Sequence, residues 1–322
     1  MPSLQLRGVN RAGAEFGDDW DGWTGQTYYE WPPVTVRASE LNDYASKGMN
    51  VVRLPISWER LQHTLGGPLD PTYQANLVDY VEAATAMGFT VVVDLHNYGR
   101  YATGVYDPSG EQVDTYTQLI LGDGTLTFSH VADVWTKVAR LFVSNPSVIF
   151  NLMNEQHDAA PSLDATAIFA GYQAVLDAVR ATGATQLVLF PNTRSSDTHH
   201  WSTWSPQGGP LDEDAALSVR DSANNLAFDM HSYTEAGDSW NGDITVVTDW
   251  ARAGGRRLFL SELGTESGPT TLSTLLTYIN SNADVWVGWT AWNLDPYAIS
   301  VTDKVTGLVR DPPKMAWYAP YF

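Results

Sequence analysis

The chain alternates between short, continuous runs of apolar residues and longer segments in which apolar residues recur every three or four positions. Eight short runs, rich in β-branched and aromatic residues, lie at residues 5–10, 50–55, 89–96, 147–154, 186–192, 226–231, 257–263 and 285–292. Because these runs are apolar throughout and do not alternate with polar residues, they are typical of strands buried on both faces. The pattern predicts eight strands of a largely parallel sheet.

Helical patterns fill most of the segments between these runs. One buried face, with apolar residues at spacings of three and four, is the shared feature. It predicts helices at residues 38–47, 73–87, 129–145, 168–179, 244–253 and 270–279. The fifth and eighth units are weaker. Residues 193–225 form a polar stretch with a helix only at 212–220, and a long loop after residue 292 leads to a short terminal segment at 314–322.

Alternating strands and helices indicate parallel strands joined by right-handed crossovers. Eight units in 322 residues predict an α/β fold, a single closed (β/α)8 TIM barrel spanning residues 1–322, with a doubly wound open sheet as the alternative. Polar or aromatic side chains end nearly every run: Asn10, Arg53, His96, Asn154 with Glu155, Asn192, His231, Glu262 and Trp292. A barrel gathers all strand ends on one face, whereas an open sheet spreads them along a line, so this pattern favours the barrel.

Composition excludes several classes of partner. The net charge is −19 and no run of Lys or Arg is present, which disfavours binding to nucleic acids or anionic membranes. No cysteine is present, which excludes thiolate chemistry, and residues 1–4 lack the features of a signal peptide. The 13 Trp and 15 Tyr residues suit the flat faces of sugars, although a Trp-rich core is the alternative interpretation. We expect a monomer.

Two carboxylates stand out because each follows a buried strand directly. Glu155 follows the apolar stretch at residues 148–154, and Glu262 follows the one at residues 258–261. Either one alone could simply cap a helix or pair with Arg53. Two together at one end of a barrel match glycosidic bond cleavage, in which one carboxyl group donates a proton and the other stabilises or attacks the anomeric carbon. A separation of about 5–5.5 Å is expected for a retaining enzyme.

These residues and their surroundings resemble glycoside hydrolase family 5, specifically its cellulase-type endo-β-1,4-glucanase branch. The similarity runs through residues 51–59 (VVRLPISWE), 94–101 (DLHNYGRY), 154–158 (NEQHD), 231–233 (HSY) and Trp292. The resemblance implies a retaining, extracellular enzyme that cleaves internal β-1,4-glucosidic bonds in a glucan polysaccharide or oligosaccharide. By this resemblance Glu155 is the acid/base and Glu262 the nucleophile.

Neighbouring residues are assigned supporting roles. Arg53 and Tyr233 are candidates for keeping Glu262 ionised, Asn154 for donating to the sugar 2-hydroxyl, and His96 and His231 for orienting substrate or carboxylates. The expected substrate contacts are Asn97, Tyr98, Trp201, Trp204, Trp240 and Trp292, with Trp292 resembling the family's platform beneath the sugar. His199 and His200 lack metal-type spacing, so no metal and no cofactor are expected.

The sequence departs from the family pattern at two places. Gln156 follows the acid/base residue, where the family usually has proline, and residues 289–294 (WTAWNL) differ from the stretch common in the cellulase branch. The same chemistry on β-mannan, xyloglucan or short β-glucosides is therefore an alternative. A non-catalytic carbohydrate-binding barrel is an alternative of another class, although both Glu residues argue against it.

Overall fold

The computed structural model describes residues 5–15, 31, 34–104, 117–156, 159–160, 162–233, 240–265, 268–292 and 315–322. The strands among them are β1 (Leu6–Asn10), β2 (Val51–Ile56), β3 (Thr90–Leu95), β4 (Arg100–Thr103), β5 (Thr117–Ile120), β6 (Val148–Asn151), β7 (Val188–Phe190), β8 (Leu226–Tyr233), β9 (Leu258–Gly264) and β10 (Trp286–Ala291). The helices are α1 (Val34–Ser46), α2 (Trp58–Leu61), α3 (Pro71–Ala86), α4 (Phe128–Phe142), α5 (Ala165–Ala181), α6 (Asp212–Ala215), α7 (Trp240–Ala253), α8 (Pro269–Ser281) and α9 (Met315–Tyr318).

Eight parallel strands close into a barrel in the order β1-β10-β9-β8-β7-β6-β3-β2. Each of the eight predicted runs overlaps one of these strands, so the (β/α)8 prediction is confirmed and the open-sheet alternative is wrong. The register places Asn10 beside Arg53 and, after a register shift between β8 and β9, His231 beside Glu262. Closure of the barrel therefore brings the polar strand ends together at one opening.

The interior of the barrel changes character along its axis. A compact apolar cluster fills one end: Val51, Val92, Ile149, Leu187, Leu189, Ala227 and Phe259. Strand side chains two residues apart point to the same side, so the next interior positions on β2, β3, β6 and β8 carry polar groups instead. These are the buried side chains of Arg53, Asp94, Asn151 and Asp229. The apolar layer supports a polar layer directly beneath the catalytic face.

The helices pack their apolar faces against the outside of the barrel in a much larger core cluster. Every predicted helix overlaps an observed one, and the segment at 212–220 forms α6 followed by a 3-10 turn at Ala216–Ser218. The antiparallel hairpin of β4 and β5 and the short helix α2 were not predicted, because each is only four residues long. The long loop expected after residue 292 lies outside the described residues. No helix in the described part of the chain is long and apolar enough to cross a membrane.

Candidate active site

Arg53 is the centre of the polar layer. Its side chain is fully buried at the middle of β2. The Nη1 atom donates hydrogen bonds to Glu262 Oε1 at 2.7 Å and to Asn10 Oδ1 at 2.8 Å. The Nη2 atom donates to Asn154 Oδ1 at 2.8 Å and lies 3.0 Å from Asp94 Oδ2. A rigid guanidinium fork with this many partners fixes the positions of Glu262, Asp94 and Asn154.

Glu262 is nearly fully buried, yet its surroundings favour the charged form. Tyr233 donates its hydroxyl to Oε2 at 2.7 Å, and His231 Nδ1 lies 3.5 Å from the same oxygen. Burial opposes the negative charge, but the charges of His231, Arg53 and His96 and the Tyr233 hydrogen bond outweigh it and lower the pKa of Glu262. The structure thus places Arg53 and Tyr233 in contact with Glu262, where the sequence analysis expected them.

Glu155 comes four residues after β6 ends, and its side chain is 23% exposed. Its Oε1 atom lies 3.0 Å from His231 Nδ1. One oxygen of Glu155, one oxygen of Glu262 and a nitrogen of His231 all lie within 4.8 Å of one another. The nearest oxygens of the two carboxylates are thus at most 4.8 Å apart, an approach consistent with the roughly 5–5.5 Å between the carboxyl groups of retaining glycosidases.

His231 lies between the two carboxylates. Burial disfavours its positive charge, but the carboxylates of Glu262, Glu155 and Asp229 more than compensate and raise the pKa of His231 to about 9. The Nε2 atom is buried and lies 3.8 Å from Asp229 Oδ2, too far for a hydrogen bond. The raised pKa keeps this ring, which faces the carboxylates of Glu155 and Glu262, charged to a higher pH than a free imidazole.

His96 forms a second histidine–aspartate pair across the site. Its Nδ1 lies 2.7 Å from Asp94 Oδ2, and its Nε2 lies 3.1 Å from the Tyr98 hydroxyl and 3.3 Å from Asn154 Nδ2. Burial lowers the pKa of His96, but the charges of Asp94 and of the more distant carboxylates raise it by more than burial lowers it. The net shift of the pKa is therefore upward. The Trp292 ring stacks parallel to the imidazole, with centroids 5.4 Å apart. The imidazole of His96 therefore covers one face of the Trp292 ring.

Two of the expected substrate contacts are corrected by the structure. Asn97 is fully buried, and it donates to Glu59 Oε2 at 2.7 Å while its Oδ1 accepts from the Trp58 backbone at 2.8 Å. It attaches α2 to the end of β3 and does not face the cleft. Trp201 is also fully buried, and its ring packs against Trp250 with centroids 4.7 Å apart. It belongs to the core between the barrel and α7.

The other two loop tryptophans differ from Trp201. Trp204 is half-buried, and the Arg194 guanidinium lies over its ring at 4.8 Å from the centroid. Trp240 is the first residue of α7, and its side chain lies outside the described residues. Of the loop tryptophans, Trp204 is therefore the one whose described side chain remains partly open to solvent.

Three polar residues of the site were missed by the sequence analysis: Asp94, Asn151 and Asp229. Asn151 links the two sides of the polar layer, because it accepts from Arg53 Nε at 3.0 Å and donates to Asp229 Oδ2 at 3.0 Å. A signal for the two aspartates exists in the sequence. Each stands inside an apolar strand, two residues before a histidine at the strand end, so that both histidines belong to an Asp-x-His triplet.

Within the described residues, Glu155, His231 and Glu262 are the group with the geometry to hold a metal ion. Their existing partners argue against a resident ion. Both oxygens of Glu262 already accept hydrogen bonds, from Arg53 and from Tyr233. A dication here would also face the Arg53 guanidinium and the raised-pKa imidazole of His231. The residues present do not fit a structural or catalytic metal.

Two carboxylates this close, in unequal surroundings at the carboxyl end of a barrel, meet the requirements of glycosidic bond cleavage, and the chain is a glycoside hydrolase. The sequence pattern described as Cellulase (glycosyl hydrolase family 5) matches residues 9–295, and the chain belongs to this family.

Similar proteins cover nearly the whole chain. Endo-beta-1,4-glucanase A of Emericella nidulans is 30% identical over 306 residues, which cover 90% of this chain and 83% of that protein. The manganese dependent endoglucanase Eg5A of Phanerodontia chrysosporium is 30% identical over 326 residues, covering 94% and 76%. The structure of XacCel5A is similar with a TM-score of 0.81 at 31% identity, covering 99% of this chain and 98% of that one, and XacCel5A has also been solved in complex with cellopentaose.

Proposed function

We propose that this chain is a retaining endo-β-1,4-glucanase in which Glu262 is the nucleophile and Glu155 the acid/base. The observation that carries the proposal is the separation of 4.8 Å or less between oxygens of the two carboxylates. Their unequal surroundings support the division of roles. Glu262 is held charged by Arg53 at 2.7 Å, whereas Glu155 is more exposed and contacts only His231 among the charged groups described around it.

In the first step, Glu155 gives its proton to the glycosidic oxygen while an oxygen of Glu262 bonds to the anomeric carbon. The carbon–oxygen bond to the leaving sugar breaks, and the sugar departs as an alcohol. In the second step, Glu155 takes a proton from water, the water oxygen bonds to the anomeric carbon, and Glu262 leaves as a carboxylate. The negative charge moves from Glu262 to Glu155 and back, and His231 contacts both positions.

Asn154 supports the proposed transition state. Its Oδ1 is occupied by Arg53, which fixes the orientation of the amide and directs Nδ2 away from the arginine. An Nδ2 donor beside the acid/base residue is suited to the sugar 2-hydroxyl, a contact that strengthens as the oxocarbenium character develops.

The names of the relatives and the aromatic surfaces support the choice of substrate. Relatives similar along most of the chain are named as endoglucanases, and XacCel5A was solved with cellopentaose. In this chain Trp292 has one face on His96, and the Tyr233 side chain is 40% exposed although its hydroxyl reaches Glu262. Such rings present flat apolar faces to an equatorial glucan chain. We further propose that the protein is a monomeric, extracellular, single-domain enzyme, which size-exclusion chromatography and fractionation of the source cells would test.

Azide rescue tests the assignment of the two carboxylates. With an aryl cellobioside that carries an activated leaving group, Glu155→Ala should form the glycosyl-enzyme but release it slowly, because no base activates water. Azide needs no base, so it should restore turnover and yield a β-glycosyl azide. Glu262→Ala is the matched control, and any azide product that it forms should be the α anomer. An α product from Glu155→Ala would reverse the two roles.

A panel of polysaccharides tests the substrate. Carboxymethyl cellulose and lichenan should be cleaved with a rapid fall in viscosity, whereas preferred cleavage of β-mannan or xyloglucan would support those alternatives. Binding of glucan without hydrolysis by the intact chain would support the non-catalytic barrel.

A further inference from the structure

Backbone strain is concentrated around the catalytic face. Six non-glycine residues in the described chain have a positive φ, and four of them belong to this face: Tyr98 (57°), Glu155 (38°), Ser195 (49°) and Ser196 (52°). Left-handed backbone at a non-glycine residue is unfavourable and persists only where surrounding contacts hold it. Glu155 has such a left-handed backbone, so contacts of neighbouring residues must hold it in this conformation.

Gln156, the next residue, is anchored in the core. Its side chain is fully buried, and its Oε1 accepts a hydrogen bond from the Tyr172 hydroxyl of α5. Tyr172 is itself fully buried, and its ring packs edge-on against Phe128 and Phe190. Burial raises the pKa of the Tyr172 hydroxyl well above its usual value, so this hydroxyl remains protonated and acts as a donor throughout the working pH range.

Backbone hydrogen bonds connect Gln156 to the β8 side of the site. The Gln156 carbonyl accepts from the Ser195 backbone N–H at 3.4 Å, and the Ser196 carbonyl accepts from the His231 backbone N–H at 2.6 Å. His231 Nδ1 then lies 3.0 Å from the Glu155 carboxylate. The acid/base residue is thus held from its backbone through Gln156 and from its side chain through His231.

We propose that Gln156 and Tyr172 are positioning residues for Glu155, holding its left-handed backbone so that the carboxyl group faces both Glu262 and the glycosidic oxygen. Neither residue contacts substrate in this proposal. It rests on the acid/base role of Glu155 proposed above. Proton donation depends steeply on placement, since a displacement of about 1 Å can cost roughly 100-fold in rate. Loss of the anchor should therefore affect acid catalysis more than any other property.

Tyr172→Phe tests the proposal because it removes the hydroxyl and keeps the ring in its packing site. We would measure kcat/KM on a series of aryl cellobiosides whose phenols span a wide range of acidity. Poor leaving groups need the proton, so their kcat/KM should fall about 10-fold or more, while activated leaving groups should change less than about twofold. The dependence of log kcat/KM on leaving-group pKa should become steeper. Tyr80→Phe is the matched control, since Tyr80 is also fully buried on a helix and its hydroxyl lies 3.5 Å from Glu40, and it should leave the slope unchanged.

A double-mutant cycle separates positioning from general loosening. Gln156→Met keeps the side-chain volume but removes the acceptor. If the two residues act through their hydrogen bond, Gln156→Met/Tyr172→Phe should lose no more kcat/KM on poor leaving groups than Gln156→Met alone. Thermal melting of each variant identifies any loss that comes from unfolding.

The outcomes decide between the two proposals. Equal losses for all leaving groups, strictly additive losses in the cycle, or unchanged slopes in folded Tyr172→Phe would each overturn the positioning role. If Glu155→Ala still shows azide rescue to the β product, the acid/base role stands and only this inference fails. Failure of the azide experiment would instead overturn the proposed function.

Discussion

Replacement of Arg53 by methionine, which has a similar length and no charge, should destabilise the protein and inactivate it together. Arg53 is fully buried and forms ion pairs with Glu262 at 2.7 Å and Asp94 at 3.0 Å, plus hydrogen bonds to three asparagines, Asn10, Asn151 and Asn154. Methionine fills the space but leaves two buried carboxylates without this cation. Removing one partner of a buried ion pair typically costs about 3–5 kcal/mol.

This loss should depend on pH in a defined direction. The lowered pKa of Glu262 contributes stability that is present above the unfolded value of 4.5 and is lost as the pH falls through the folded value. Without Arg53, one of the cations that oppose the effect of burial is missing, so the folded pKa of Glu262 rises. The difference in unfolding free energy between the two proteins should therefore be larger at pH 7 than at pH 4.5, where the carboxylate of the variant can take up a proton.

Urea unfolding at both pH values, followed by tryptophan fluorescence, measures this difference, and kcat/KM on an aryl cellobioside measures activity below the transition. We expect a loss of about 3–5 kcal/mol at pH 7 and at least about a 100-fold loss of kcat/KM. Arg180→Met is the matched control. Arg180 also forms a largely buried ion pair, with Asp221 at 2.7 Å, but away from the catalytic face, so that variant should lose stability and keep its kcat/KM.

Near-native stability of Arg53→Met at pH 7, or a loss of the same size at both pH values, would refute the view that Arg53 compensates buried carboxylates. A stable variant with no activity would mean that Arg53 contributes to catalysis but not to stability.

Three further predictions concern His231 and metals. The pKa of His231 is raised from 6.5 to about 9, so its contribution to stability is complete below pH 6.5 and should be lost as the pH rises to 9, by about 3 kcal/mol at most. Asp229→Asn removes one of the responsible anions and should lower the His231 pKa measured by NMR titration; an unchanged value would mean that Asp229 has no influence. Exhaustive treatment with EDTA should leave activity intact, and a loss that Mn²⁺ restores would contradict our interpretation of the carboxylate site.

The sequence was sufficient for the barrel because buried parallel strands need continuous apolar runs, which are visible without any tertiary information. It also indicated Glu155 and Glu262, since a carboxylate directly after such a run is unusual. Asp94 and Asp229 could not be assigned in the same way, because a charge inside a strand has meaning only once that strand is known to line the polar half of a barrel.

The two corrected substrate contacts, Asn97 and Trp201, have a common cause: both lie in local structure that helix and strand propensities do not predict. The sequence pattern predicts a substrate contact for Asn97, but this residue anchors α2 through Glu59 and the Trp58 backbone, and α2 is only one turn long. The sequence pattern predicts a substrate contact for Trp201 as well, but this ring packs against Trp250 of α7. In both cases the residue lies in a connecting segment, and only tertiary contacts determine which way it faces.

The buried polar layer and the partly exposed loop tryptophan of this enzyme belong to different parts of the fold. Arg53, Asp94 and Asp229 belong to strands and are fully enclosed, whereas Trp204 and its neighbour Arg194 belong to the connection after β7. Insertions or exchanges around Trp204, beyond the Ser195–Ser196 segment that contacts Gln156 and His231, leave the hydrogen bonds of the strands intact. The proposed specificity for a polysaccharide is therefore open to change by loop exchange around Trp204, while the ion pair between Arg53 and Glu262 stays in the strands.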